Sequence, residues 1–338
     1  MQVANRDMFP SDATLARFPD IQPLLVNPVL DAAFRRHDAV ASRGKRLYHS
    51  LGRLAVLMIA TSAVYTIAFA LILPDAPWTQ HLTLIAALSA LIGIALQSFI
   101  VFTRQKEKWL LNRFASERIR SLKFQSFHLG DNVRDVDGLS EAVDAFSARH
   151  LSRLENDLNT GMAVLERFNP EAALDTPEPS RLPDADPAIA TQSREAYEEL
   201  RVRYQCNFAS GEVGKLRGRM RAITSLQDVM YFAAVAFAIL SLAIKVIDID
   251  HNVPTDWVDF MAVTLFVAGA TKAIADNALL DEQSQGRYES YLRQLEHASG
   301  QAENRRSDLD GLVDAVERVS LKELDLFCQD ALRVSYRI

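Results

Sequence analysis

The chain has 338 residues, 49 % hydrophobic and 24 % charged, with a formal net charge of −6. Mixed charge without a basic excess excludes the phosphate-tracking surface that nucleic-acid binding needs, so nucleic acid is not an expected partner. The apolar residues are gathered into a few blocks rather than spread with helical period, which points away from an ordinary soluble globule and toward an all-α, polytopic membrane protein.

Residues 1–27 are polar, carry Pro10, Pro19 and Pro23, and contain no short apolar core with a small-residue cleavage site. They are expected to be a disordered N-terminus without a signal peptide. Residues 28–50 read as a helix, with Leu30, Ala33, Phe34 and Val40 apolar and Arg35, Arg36, Arg43, Lys45 and Arg46 charged. That helix leads into residues 54–73, a run without a charge that would rise about 30 Å as an α-helix, the hydrocarbon thickness of a bilayer. A second uncharged run, 82–103, follows the short connector 74–81, so the two form an antiparallel transmembrane hairpin. The connector has neither lysine nor arginine, whereas Arg104, Lys106, Lys108, Arg113, Arg118, Arg120 and Lys123 follow the second run. Positive residues stay inside, which places both flanks of this hairpin in the cytoplasm.

Without proline or glycine before Gly130, the chain is predicted to leave the second span as one long helix. It then turns amphipathic, with Leu139, Val143, Phe146, Leu151, Leu154, Leu158, Met162 and Leu165 forming a stripe that packs within a bundle or as a coiled coil between chains. Pro170, Pro177, Pro179, Pro183 and Pro187 make 169–191 a Pro/Asp-rich linker. It divides the chain into two helix-hairpin-helix units, 28–168 and 192–338.

The second unit opens with a helix carrying Tyr197, Leu200, Tyr204, Phe208, Val213, Leu216 and Met220, ending in the basic group Lys215, Arg217, Arg219 and Arg221. A third apolar run, 229–247, is interrupted only by Lys245. The fourth, 257–275, is weaker: Asp259 and Lys272 bracket its uncharged centre, and it needs its partner to insert. The connector 248–256 lacks lysine and arginine, so four spans in two hairpins would leave both termini cytoplasmic. Beyond them, Leu279, Tyr288, Leu292 and Leu295 mark one helix. After Ser299-Gly300, residues Leu309, Leu312, Val316, Leu321, Leu324, Phe327 and Leu332 mark another. The long cytoplasmic amphipathic helices of both halves are expected to pack together, because a solitary stripe would stay in water.

Chemistry is scarce. None of the seven histidines stands at the i, i+4 spacing of a helical metal pair. Asp248, Asp250, Asn252 and Asp259 mimic a calcium loop, but its turn needs a glycine where this chain has Val253. An acidic outer loop whose Thr255 or Asp256 caps the fourth span is the simpler reading. No phosphate loop, dinucleotide fingerprint or nucleophile elbow is present, so neither cofactor, metal nor enzymatic activity is expected. Cys206 and Cys328 read as packing residues. What invites a functional reading is polarity at membrane depth: Lys245, Asp259, Lys272, Gln97 and Ser89 are the candidate pore-lining residues. Their structural alternative is helix packing for the uncharged groups and interfacial helix ends for Asp259 and Lys272.

Trp109, Arg113, Glu117, Arg120, Phe124 and Phe127 follow the first hairpin, Tyr204 and the 215–221 basic group precede the second, and Glu323, Leu324 and Phe327 lie in the final helix. This plan resembles the SLATT group of bacterial two-transmembrane effector domains. The resemblance implies a multi-pass protein of the bacterial inner membrane, an antiphage or conflict-system effector that forms pores or perturbs the bilayer. It also implies homo-oligomers and a sensor protein from the same operon as partners besides lipid. Two hairpins instead of one, and no nucleotide-sensing domain, depart from that pattern. The alternative is a non-conducting scaffold presenting cytoplasmic helices to a partner.

Overall fold

The computed structural model describes residues 5–72, 79–174, 185–247, 256–277, 281–304 and 309–333. Among these residues every regular element is helical, and no strand occurs. In chain order the α-helices are α1 (Asp12–Arg17), α2 (Gln22–Leu25), α3 (Pro28–Ile72), α4 (Thr79–Phe102), α5 (Gln105–Gln125) and α6 (Val136–Leu158). They continue with α7 (Ala163–Glu166), α8 (Pro187–Tyr197), α9 (Tyr204–Ile247), α10 (Asp256–Asn277), α11 (Asp281–Asn304) and α12 (Leu309–Arg333). Short 3₁₀ turns lie at Pro19–Ile21, Ser126–Asp131 and Glu171–Ala173, and a π-helical turn at Glu198–Arg203 joins α8 to α9.

Local chemistry sets several of the starts. Asp135 caps α6 by accepting from the Gly138 amide at 2.7 Å, and Asp186 caps α8 from the Ala188 amide at 2.8 Å with Pro187 at the first helical position. Each cap satisfies a donor that the helix itself leaves unpaired.

Two compact units emerge. A helical unit gathers Met1–Arg43, Glu107–Lys215 and Gln283–Arg333, and a hairpin unit contains Gly44–Lys106 and Leu216–Glu282. The helices expected to be soluble from both halves of the chain therefore share one core. The helical unit gathers helices from both sides of the proline-rich stretch. Amphipathic stripes from 107–215 and 283–333 bury one another, and that outweighs chain order.

At the centre of the helical unit lie α5 and the 3₁₀ turn that follows it. Phe114, Ala115, Ile119, Leu122, Phe124 and Phe127 are all buried, and so are Arg120, Lys123, Gln125 and His128. Phe124 stacks on Phe127 with ring centroids 5.8 Å apart, and Tyr197 of α8 meets both edge-on at 6.0 and 5.6 Å. Helix α8 comes so close that a β-carbon on Gly130 would stand 2.2 Å from Ser193 Oγ, so glycine is required there.

The N-terminus differs from its expectation. Residues from Asn5 onward carry α1, a 3₁₀ turn and α2, and Met8, Phe18, Ile21, Leu24 and Leu25, set among prolines and acids, are buried. Proline in the first two positions of the 3₁₀ turn and of α2 fits its fixed φ, and the apolar residues beside them reach the core. The junction after the first hairpin differs too. Helix α4 stops at Phe102, Arg104 takes a left-handed φ of 50°, and α5 begins afresh, so no single helix leaves the span. Farther on, Gly300 sits inside α11 instead of breaking it.

In the hairpin unit, α4 returns along the apolar part of α3. A β-carbon on Gly93 would approach Ile59 Cγ1 to 2.7 Å and the Ala55 carbonyl oxygen to 3.1 Å, so the two helices touch backbone to backbone there. The second pair is similar. Tyr231 of α9 lies against Gly269 of α10 and edge-on to Phe266 with centroids 6.0 Å apart. Tyr231 and Gly269 are equidistant from position 250, as are Ser241 and Asp259, which fixes α9 and α10 as an antiparallel pair in a single register. The helices Pro28–Ile67 and Thr83–Phe102, whose most apolar 18-residue stretches have mean hydropathies of 1.5 and 2.3, are long and apolar enough to cross a bilayer. The apolar stretches of α9 and α10, Asp228–Ile244 and Val258–Gly269, are shorter.

Candidate functional site

The polar residues singled out at membrane depth fall on three helices of the hairpin unit. Ser89 and Gln97 are on α4, Ser89 buried and Gln97 half-buried. Asp259 is half-buried on α10 and accepts a hydrogen bond from Ser241 Oγ of α9 at 2.5 Å. Lys245 lies in α9 and Lys272 in α10, both with side chains outside the described residues. The calcium-like loop 248–255 also lies outside them. Threonines of the hairpin unit turn back on their own backbone: Thr66 to the Ser62 carbonyl, Thr103 to Phe99 and Thr271 to Val267. Those bonds satisfy hydroxyls without a partner helix. Thr264 is different, because its Oγ1 is buried and accepts or donates nothing.

No metal cluster of three or more His, Cys, Asp or Glu occurs among the described residues. Burial pushes the Cys328 thiol up to about 12 and raises that of Cys206, so both stay protonated and unreactive at neutral pH.

The denser concentration of charge is in the helical unit, and much of it was invisible to sequence reasoning. Glu317 of α12, fully buried, receives Arg201 in a two-pronged bond at 2.6 and 2.8 Å and the Tyr197 hydroxyl at 3.2 Å. Arg201 belongs to the π-helical turn, and its guanidinium lies over the Phe124 ring at 4.9 Å. Burial holds the Tyr197 hydroxyl protonated, so it donates. Nearby, Arg120 contacts Glu117 at 2.8 Å and Asp7 at 3.3 Å and donates to Asn5 Oδ1 at 2.6 Å. Burial alone would lower the pKa of Arg120, but Asp7 and Glu117 raise it above the ordinary value. Lys123 donates to Asp31 at 2.9 Å and to the Met8 carbonyl at 2.6 Å, tying the N-terminal segment to α5.

Arg113, Glu117, Arg120, Arg201, Tyr288, Tyr291 and Glu323 surround a small cavity of about 30 Å³, room for a water molecule or so. The two carboxylates there respond oppositely. Burial raises Glu323 above the usual carboxylate range despite its bond to Arg287 at 2.9 Å. Burial pushes Glu117 the same way, but Arg113, Arg120 and Arg201 together hold it below. Arg287 also reaches Asp330 at 3.2 Å and covers the Phe327 ring at 5.2 Å, while Trp109 meets Phe327 edge-on at 6.3 Å.

Comparison with protein-family models, curated proteins and solved structures finds no match. The cluster has therefore to be understood from its own chemistry. Its charges are neutralised locally and its carboxylates are engaged, which is the arrangement of a polar core that fixes one packing of α5, α9, α11 and α12. Trp109, Arg113, Glu117, Arg120, Glu323 and Phe327, quoted above for their pattern, do meet in this region. Arg201, Glu317, Arg287 and Asp7 carried no local signal. Only the i, i+3 and i, i+4 spacing of Arg113, Glu117 and Arg120 was open to a sequence reading.

Proposed function

We propose that the chain is a multi-pass effector of the bacterial inner membrane that perturbs the bilayer. Its two hairpins would cross as four spans, with both termini and the helical unit in the cytoplasm. The membrane part of this reading is carried by one observation. The most apolar 18-residue stretch of helix α4 has a mean hydropathy of 2.3 with only 22 % of it buried, and Leu91, Ile94, Val101 and Phe102 are exposed. In water such a face would aggregate; against lipid it is the required exterior.

The fourth span enters only with its partner. Asp259 lies in the first turn of α10, toward the end of the fourth span, and the Ser241 hydroxyl of α9 offsets part of the cost of carrying a carboxylate there. The effector role draws on this pair, since separating the hairpin would leave Asp259 unsatisfied in hydrocarbon and favour water entry. The defence setting, a homo-oligomer and an operon-encoded sensor rest on the resemblance to SLATT effectors. Induced expression in bacteria should collapse the membrane potential, read with a voltage-sensitive dye. Protein found in the membrane fraction with a normal potential overturns the effector reading, and protein soluble without detergent overturns the membrane reading.

The closed Ser241–Asp259 pair also favours a second reading, a non-conducting scaffold. In that case, exchanging all four apolar helices for unrelated spans would leave function intact.

A further inference from the structure

The N-terminal turn, residues 5–9, closes the helical unit over two buried cations of α5. It holds its own shape, because the amides of Met8 and Phe9 both donate to the Asn5 carbonyl, at 3.1 and 3.0 Å. Its ties to the rest of the unit run through side chains. The Asn5 amide donates to the Tyr204 hydroxyl at 3.1 Å, Arg120 Nη2 donates to Asn5 Oδ1 at 2.6 Å, and Lys123 Nζ donates to the Met8 carbonyl at 2.6 Å. Met8 is fully buried, and Phe9 meets the Phe34 ring edge-on at 5.9 Å with the Arg35 guanidinium 4.4 Å from its own centre. In order, the turn seats a carboxylate, an apolar side chain and an aromatic ring.

Asp7 is the loose point of this closure. It is 1 % exposed, yet its Oδ2 has only Gln205 Nε2 at 3.3 Å and Arg120 Nε at 3.3 Å, the latter an ion pair without hydrogen-bond alignment. Its Oδ1 has no hydrogen-bond partner. Glu317, equally buried, receives three bonds at 2.6, 2.8 and 3.2 Å. A buried carboxylate with an unmet oxygen carries a desolvation cost that long contacts offset only in part. That places the turn at the low-stability end of the unit, where local opening occurs. Beside it, an opening of about 650 Å³ lined by Arg6, Phe9, Pro10, Leu200, Tyr204 and Asn207 gives the turn room to lift. The surface left behind keeps its charges paired: Arg120 retains Glu117 at 2.8 Å, and Lys123 retains Asp31 at 2.9 Å.

We infer that residues 5–9 are a releasable clasp over a peptide-docking surface, which takes a partner segment carrying a carboxylate followed by an apolar and an aromatic residue. Arg120 and Gln205 take the partner's carboxylate and Lys123 its backbone carbonyl, as they now take Asp7 and Met8, while Phe34 and Arg35 hold the ring. Charge complementarity selects an acidic segment, and the two cations favour it over a neutral one of the same shape. This regulation rests on the effector reading, in which a partner triggers the membrane change. Docking is measured without a membrane potential, so either reading can fail alone.

The test uses the full-length protein in detergent and an acetylated peptide of residues 5–11 with a C-terminal fluorophore, read by fluorescence anisotropy. A tethered occupant acts at an effective concentration of about millimolar, so free peptide reaches the surface only where the clasp is weakened. Asp7→Asn in the protein should tighten peptide binding about tenfold or more relative to the natural chain, the effect of one charge-assisted contact. Phe9→Ala, which leaves the buried acid in place, should act in the same direction. A peptide carrying Asp7→Asn should bind about tenfold more weakly than the natural peptide, and Arg120→Gln added to the Asp7→Asn protein should abolish the gain. Circular dichroism verifies that each variant is folded. No peptide binding to either weakened variant at millimolar concentration overturns the inference, as does equal binding of the two peptides, or equal binding to the natural chain and both variants.

Discussion

Removing the Glu317 carboxylate tests whether the buried charges of the helical unit fix its packing. In Glu317→Ala, Arg201 keeps its charge at 3 % side-chain exposure but loses both bonds, at 2.6 and 2.8 Å, and Tyr197 loses its acceptor. Stranding a buried charge in this way costs about 3–5 kcal/mol. At about 2–4 °C per kcal/mol for a unit of this size, the unfolding midpoint should fall by roughly 6–20 °C. The double variant Arg201→Met/Glu317→Leu removes both charges and leaves mainly the Tyr197 hydroxyl unsatisfied, a cost of about 1–3 kcal/mol. Trp109, packed against Phe327, is the reporter, in a background where Trp78 and Trp257 are phenylalanine and the protein is in detergent. If the single variant loses less than about 1 kcal/mol, or the double variant loses the sum of both singles, the pair is not the lock described here.

Gly130→Ala puts a β-carbon 2.2 Å from Ser193 Oγ and should cost about 1–3 kcal/mol in the same melt, with Ser193→Gly largely restoring stability in the double variant. Gly93→Leu should disrupt the first hairpin at Ile59 and Ala55, seen as protease sensitivity of the membrane-embedded fragment, while Ala95→Leu, on the exposed face of α4, should not. Glu117, held below its ordinary value of 4.5, contributes stability that is full above that pH and is lost as the pH falls through its folded value. Glu323, raised above 4.5, has the opposite sign: its ionisation is a cost at neutral pH that disappears on acidification. Melting Glu117→Gln and Glu323→Gln between neutral and acid pH should therefore show opposite changes in slope relative to the natural chain. Asp259→Asn should keep the Ser241 contact while removing the ionisable group, so under the effector reading depolarisation on induction changes while insertion does not.

The parts of the fold legible in the sequence are those with a one-dimensional signature. Uncharged length located α4 and the apolar end of α3, and threefold and fourfold spacing located α6 and α12. The N-terminal helices were missed because six and four residues are too few to show a period, and their apolar residues are separated by prolines. The candidate site was missed for a different reason. Arg201 and Glu317 are 116 positions apart and Lys123 and Asp31 are 92 apart, and a buried ion pair leaves no local pattern at either end. Read singly, each is a charge on a helix, which normally means solvent.

The π-helical turn at Glu198–Arg203 holds one more residue than an α-helical ladder would use over the same rise. Deleting a residue within it would let α8 and α9 fuse into a regular helix and rotate everything on one side by about 100°. Tyr197 immediately precedes that turn and Arg201 lies within it, so the two donors that now converge on Glu317 would turn relative to the core residues farther along α9. The helix thus carries its register error at the one place where correcting it would unlock the core, which makes length in this stretch, more than residue identity, the quantity the fold has to preserve.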